Sequence, residues 1–115
     1  MHKCYRDKLC LTNPGVKVIK TGVWFNPTEL TCSPDRLLLD AAESSKYGIV
    51  EIKCPKILES KCVSFNNELK KDQLNWFCLH YNDTVTFVLR KSHQYYCQIQ
   101  MQMAVMNVPW CDLVV

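Results

Sequence analysis

The segment Tyr47 to Lys53 (YGIVEIK), stopped by Pro55, constrains this chain more than any other stretch. It is rich in β-branched and apolar residues and ends before a proline, so it reads as a strand. Side chains alternate faces along a strand, which sets Ile49, Glu51 and Lys53 on one face and Val50 and Ile52 on the other. A carboxylate and an ammonium are thus next-but-one neighbours on one face of an otherwise apolar strand, with Cα atoms about 6–7 Å apart.

The preceding strand adds a third ionisable group. Leu37 to Leu39 is a short apolar run after Ser33-Pro34 and reads as a strand of its own. If Ala41 to Ser45 is a five-residue hairpin loop, Asp40 faces Lys46, Arg36 faces Val50 and Asp35 faces Glu51. Directly opposed residues have Cβ atoms about 4.5–5.5 Å apart on the same face. Two carboxylates that close repel each other, and one takes up a proton unless a cation sits between them. A divalent metal resolves the conflict, and Mg²⁺ accepts one or two protein carboxylates while keeping waters or phosphate oxygens. Lys53 is then within reach of an attacking water, to orient it, help deprotonate it or stabilise charge at phosphorus. Singly, each residue has an ordinary reading. A Glu–Lys pair on an edge strand is often a solvated salt bridge worth little, and Asp after Pro is often a turn residue. The hairpin register joins the three, and a one-residue slip would point them apart.

The remaining chain completes one domain, since 115 residues allow no more. Val16 to Phe25 alternates as a strand interrupted near Gly22. Asn67 to His80 has helical spacing at Leu69, Gln73, Trp76, Phe77 and His80. Val85 to Arg90 reads as a strand. His93 to Met106 reads as a helix with Ser92 as N-cap and Tyr96, Ile99, Met103 and Met106 on one face. Trp110 to Val115 is a last strand. The fold class is α/β (α+β), with a central mixed β-sheet flanked by helices. Residues 1–15 form an N-terminal segment with no assigned role, and 16–115 form the core.

Composition excludes more than it points to. The net charge of +3 is compatible with a polyanionic partner but is no evidence for one. No apolar run approaches the roughly 20 residues of a membrane span, and the N-terminus has no signal-like apolar run. An intracellular protein is expected, nuclear or cytoplasmic, neither secreted nor in a membrane. The eight cysteines lack the C-x-x-C spacing of a zinc knuckle, so free thiols are expected. Cys54, Cys78, Cys97 and Cys111, inside apolar segments, are expected to be buried. Trp76 and Trp110 are expected in the core. Lys56, Lys61, Lys70, Lys71, Arg90 and Lys91 could contact phosphates but read mainly as solvated charges.

Pro34-Asp35, a spacer and then Glu51-Ile52-Lys53 match the P-D…(D/E)-x-K signature of a large nuclease superfamily. That match is weak alone, but the flanking residues are more specific. Thr31-Cys32-Ser33-Pro34-Asp35, Gly48-Ile49-Val50-Glu51-Ile52-Lys53-Cys54-Pro55, Tyr95-Tyr96-Cys97-Gln98-Ile99-Gln100-Met101-Gln102-Met103 and Trp110-Cys111-Asp112-Leu113-Val114-Val115 follow one another over roughly Val18 to Val115. Together they resemble the YqaJ-like viral recombinase family, the lambda-exonuclease-like branch of the PD-(D/E)XK nuclease superfamily. The resemblance implies a restriction-endonuclease-like core. It also implies a magnesium-dependent deoxyribonuclease hydrolysing DNA phosphodiester bonds, an exonuclease in recombination or end processing.

Carried over, Asp35, Glu51 and the backbone carbonyl of Ile52 would hold Mg²⁺, with Mn²⁺ able to substitute. Lys53 would serve the attacking water, and Gln98 would be the site glutamine. Gln98 and Gln102 lie one turn apart on one side of the helix, and only Gln98 is backed by the motif. DNA is the implied partner, and a trimer is conceivable from ring-forming relatives. Members usually carry an upstream helix that contributes a glutamate. Met1 to Pro14 offers no counterpart, so the core is expected to be truncated at that helix. Arg36 stands where the family usually has a glycine after Pro-Asp. These departures leave a second reading open, a catalytically impaired nuclease-fold protein, derived from a virus or mobile element, that binds DNA without cutting it.

Overall fold

The computed structural model describes residues 13–55, 76–81 and 87–115. In chain order the elements are β1 (Val16–Lys20), β2 (Trp24–Phe25), β3 (Thr31–Cys32), β4 (Arg36–Asp40), β5 (Tyr47–Ile52), β6 (Leu79–Tyr81), β7 (Phe87–Leu89), α1 (Gln94–Met106) and β8 (Cys111–Val114). This is an α+β arrangement, as expected. The chain divides into two compact units, Met1–Lys53 with Met101–Val115, and Cys54–Gln100.

The first unit is built on a four-stranded mixed sheet of order β1-β4-β5-β8. β1, β4 and β5 form an antiparallel meander, and β8 joins β5 in parallel. The β4–β5 register is the one the five-residue loop demands: Arg36 opposes Val50, and Leu38 opposes Gly48. The Asp40 amide donates to the Lys46 carbonyl at 2.8 Å, closing the hairpin, and the Asp40 carboxylate accepts from the Ala42 amide inside the loop. Alternation then sorts the sheet into two faces. Val16, Leu38 and Val50 are buried together on one, with Val18, Ile52, Trp110 and Val114 packed against them. Ile49 and Glu51 lie on the other, exposed by 0% and 3%.

Gly48 is required by that packing. A Cβ there would lie 2.2 Å from the Trp110 ring, and the indole N–H donates to the Ser45 carbonyl at 3.0 Å, so the ring is held from both sides. Gly48→Ala is expected to destabilise the domain by about 1–3 kcal/mol, the usual cost of overpacking a filled core. Thermal unfolding checks this, and a melting temperature equal to the parent's would show that Trp110 can move aside.

The entry to β4 is set by a small hairpin. β2 and β3 pair antiparallel around a turn organised by Asn26, whose side-chain oxygen accepts from the Thr28 and Leu30 amides. Glu29 takes the left-handed conformation the turn requires, with φ 65°. Trp24 and Phe25 end the strand expected over Val16 to Phe25, whereas β3 and the hairpin pairing were not expected, because a two-residue strand carries too few residues to show alternation.

Helix α1 begins at Gln94 and is capped by His93, whose Nδ1 accepts from the Tyr95 amide at 3.2 Å. Ser92 was the expected cap. The position two residues before the bonded amide is the one that caps a helix, and His93 holds it with a ring nitrogen in place of a hydroxyl. At the other end Asn107 has φ 53°, its amide donates to Ala104 and the Val108 amide donates to Met103. This is a Schellman motif with asparagine in the left-handed position, followed by Pro109, which turns the chain into β8.

In the second unit β6 and β7 pair antiparallel, with Tyr81 and Phe87 packed edge-on at 5.5 Å. The helix expected over Asn67 to His80 is corrected where it can be seen. Trp76–Cys78 form a turn and Leu79–Tyr81 a strand, because pairing with Phe87–Leu89 supplies backbone bonds that helical spacing alone does not. Residues 67–75 of that expectation lie outside the described residues, as do 85 and 86 of the next strand. Trp76 is 60% exposed and not in the core, whereas Trp110 packs on it as expected. No helix among the described residues is long and apolar enough to cross a membrane.

Candidate active site

The site forms where the β4–β5 ladder stops. Pairing ends at Arg36 opposite Val50, and two further steps would set Pro34 against Ile52. Proline has no N–H, so it cannot complete a bonded pair with the Ile52 backbone. The chain solves this locally. The Pro34 carbonyl is taken by the Thr21 hydroxyl at 3.0 Å, and the Ile52 N–H donates to Asp35 Oδ2 at 2.8 Å. The Asp35 side chain therefore stands in for the missing ladder acceptor. Its carboxylate rests on the backbone of the residue between Glu51 and Lys53. In a strand the N–H and C=O of one residue point to the same side, so the Ile52 carbonyl faces this edge too.

On the charged face of β5, Lys53 Nζ lies 3.0 Å from Glu51 Oε2, with Lys53 18% and Glu51 3% exposed. This pair is largely shielded from water, unlike the solvated pair that spacing alone would suggest. The other carboxylate oxygen, Oε1, accepts from Gln102 Nε2 at 2.7 Å. Gln102 is itself only 4% exposed. Its main-chain carbonyl meets the buried Cys32 thiol at 4.0 Å, a contact between α1 and β3. Burial pushes the Cys32 thiol up, and the negative charge of Glu51 adds to it. Burial also pushes the Cys111 thiol up to about 12. There the Glu51 and Asp112 charges add, and a backbone hydrogen bond at Glu51 and the Lys53 charge oppose.

Three of the residues singled out in the sequence, Asp35, Glu51 and Lys53, lie at this one edge. Gln98, half-buried, sits on α1 four residues before Gln102 and belongs to the second unit. The glutamine seen on the Glu51 carboxylate is Gln102, which no sequence motif singled out. Among the described residues Cys32, Cys54, Cys78, Cys97 and Cys111 are free, in keeping with reduced thiols. Cys54 and Cys97 are exposed and Cys111 is half-buried, which corrects the expectation that these three are buried. Cys54 lies two residues past the end of β5, beside Pro55, and Cys97 is exposed on α1.

Among the described residues no group of three or more His, Cys, Asp or Glu side chains is gathered to hold a metal ion. What the edge offers is two carboxylates and one main-chain carbonyl. That all-oxygen set suits a hard cation that keeps part of its water shell, as Mg²⁺ does.

The profile of the YqaJ-like viral recombinase domain matches residues 12–109. The chain belongs to this family. The match spans β1, β4 and β5 of the sheet, the Pro34-Asp35 and Glu51-Ile52-Lys53 motifs and all of α1, and the family is related to nucleases. No curated protein and no solved structure matches the chain.

Proposed function

We propose that this YqaJ-like domain is a metal-dependent deoxyribonuclease that hydrolyses DNA phosphodiester bonds, acting as an exonuclease in recombination or end processing. One observation carries the reading most directly. The Asp35 carboxylate is bonded to the amide of Ile52, between a shielded Glu51 and its partner Lys53, in a chain of a recombinase family.

Asp35, Glu51 and the Ile52 carbonyl would hold Mg²⁺, and Mn²⁺ would substitute. When bound, the ion polarises the phosphoryl oxygen and offsets the charge that develops there. The protein's own part is positional and electrostatic. Asp35 is fixed by the β5 backbone and Glu51 by Gln102, so neither carboxylate has to be ordered when DNA arrives. The Lys53 ammonium, at the more exposed end of its pair with Glu51, orients the attacking water and stabilises negative charge at phosphorus. Gln98 keeps the site role that the family motif implies.

The direct test is incubation with linear and closed-circular duplex DNA, with Mg²⁺ and with EDTA. Loss of the linear substrate in Mg²⁺, with none in EDTA and the circle intact, is the expected result. Cutting of the circle would replace exonuclease by endonuclease. Binding without cutting in Mg²⁺ or Mn²⁺ would favour the impaired, DNA-binding reading.

A further inference from the structure

The Gln102 side chain is buried to all but 4% and does two unequal things with its amide. The nitrogen donates to Glu51 Oε1 at 2.7 Å. The oxygen, also buried, has no hydrogen-bond partner among the described residues. The orientation of the amide is fixed by chemistry, because a carboxylate accepts and the NH₂ is the only donor Gln102 has. A buried carbonyl without a donor costs about 1–3 kcal/mol, and native structures rarely leave one. Within one amide the nitrogen and oxygen are about 2.3 Å apart. The unpaired oxygen is therefore also close to the Glu51 carboxylate, and a hydrated divalent cation would bring hydrogen donors to that place.

We infer that Gln102 is a positioning residue for the divalent-cation site: its amide N–H holds Glu51 in place, and its carbonyl oxygen accepts from the water that accompanies the ion. This rests on the metal-dependent reading above and assigns Gln102 a role that no motif gives it. The placement of the residue supports this. Its main-chain carbonyl is tied to Cys32, and the Schellman turn that ends α1 begins one residue later at Met103. Gln102 is thus fixed from its backbone outward, as a residue that orients a ligand has to be.

The test is calorimetric titration with Mn²⁺ of the whole chain and of Gln102→Met, which keeps the length and removes both polar atoms. Melting in EDTA checks that the variant is folded. The variant should melt close to the parent, since an unpartnered carbonyl has gone along with one hydrogen bond. Its Mn²⁺ affinity should fall on the order of 10–100-fold, the usual cost of losing a group that orients a metal ligand. Equal affinity in a folded variant overturns the role of Gln102 and leaves the metal site standing. No binding by the parent overturns the metal site itself and this inference with it. A second measurement needs no variant to fold. In the parent, the Gln102 side-chain amide protons, followed by NMR, should shift as Mg²⁺ is added, and amide signals that stay fixed at saturation overturn the proposal.

Discussion

Asp35→Ala is expected to abolish DNA hydrolysis and metal binding together, and also to loosen the domain. The three effects have two causes. The Asp35 carboxylate is a proposed ligand, and loss of a ligand forfeits much of the several kcal/mol of charge stabilisation that an ion supplies. At about 1.4 kcal/mol per tenfold, that amounts to roughly three orders of magnitude in rate. The same carboxylate accepts the Ile52 N–H at 2.8 Å, where Pro34 interrupts the ladder. Alanine leaves that amide without its acceptor, at about 1–3 kcal/mol. Asp35→Asn separates the causes. It keeps a carbonyl oxygen for the Ile52 amide and loses the charge. It should therefore melt near the parent in EDTA while losing both Mn²⁺ binding and cleavage. An Asp35→Asn protein that cuts DNA at the parent's rate would show that Asp35 serves the fold alone.

Lys53→Ala should lower cleavage on the order of 10²–10³-fold without loss of metal affinity. The ammonium does not ligate the ion, and removing a positive charge so near the site leaves cation binding unchanged or slightly tighter. The cost appears instead in the metal-free protein. Glu51, 3% exposed, keeps Gln102 on Oε1 but loses the charge partner of Oε2. An under-compensated buried carboxylate costs at least about 1–3 kcal/mol. Mn²⁺ should thus raise the melting temperature of Lys53→Ala more than that of the parent. DNA affinity should change little, because phosphate contacts spread over many residues dominate it. Calorimetry, melting with and without Mn²⁺ and a cleavage assay read these effects. Lost metal binding in Lys53→Ala, with binding retained in Asp35→Asn, would mean that the two roles are reversed.

Much of the candidate site's geometry was legible because it is local. The covalent alternation of β5 puts Glu51 and Lys53 on one face whatever surrounds them. The five-residue loop from Ala41 to Ser45 sets the register that brings Asp35 to the end of the same ladder, since a short connection leaves an antiparallel pair little freedom to slip. Cys78 and Trp110 could also be read correctly as core material from their apolar neighbours.

What the chain could not announce in sequence is how distant segments settle on those strands. Leu79 to Tyr81 follows a run with helical spacing, yet it pairs as a strand because Phe87–Leu89 lies across from it. Helical spacing named Tyr96, Ile99, Met103 and Met106 as one face of α1, yet of these only Ile99 is buried and the other three are half-buried. Burial at Gln102 and Val105 emerges only in the folded chain. The segment that carries Gln102 lies over the face that holds a shielded carboxylate. A carboxylate removed from water needs donors, and only tertiary structure could bring one from 51 residues away. Strands β4 and β5 and their charged face were thus determined by the sequence alone. The environment that turns a solvated salt bridge into a buried Gln102–Glu51–Lys53 chain was decided by the tertiary fold, because burial is a property of what packs against a residue.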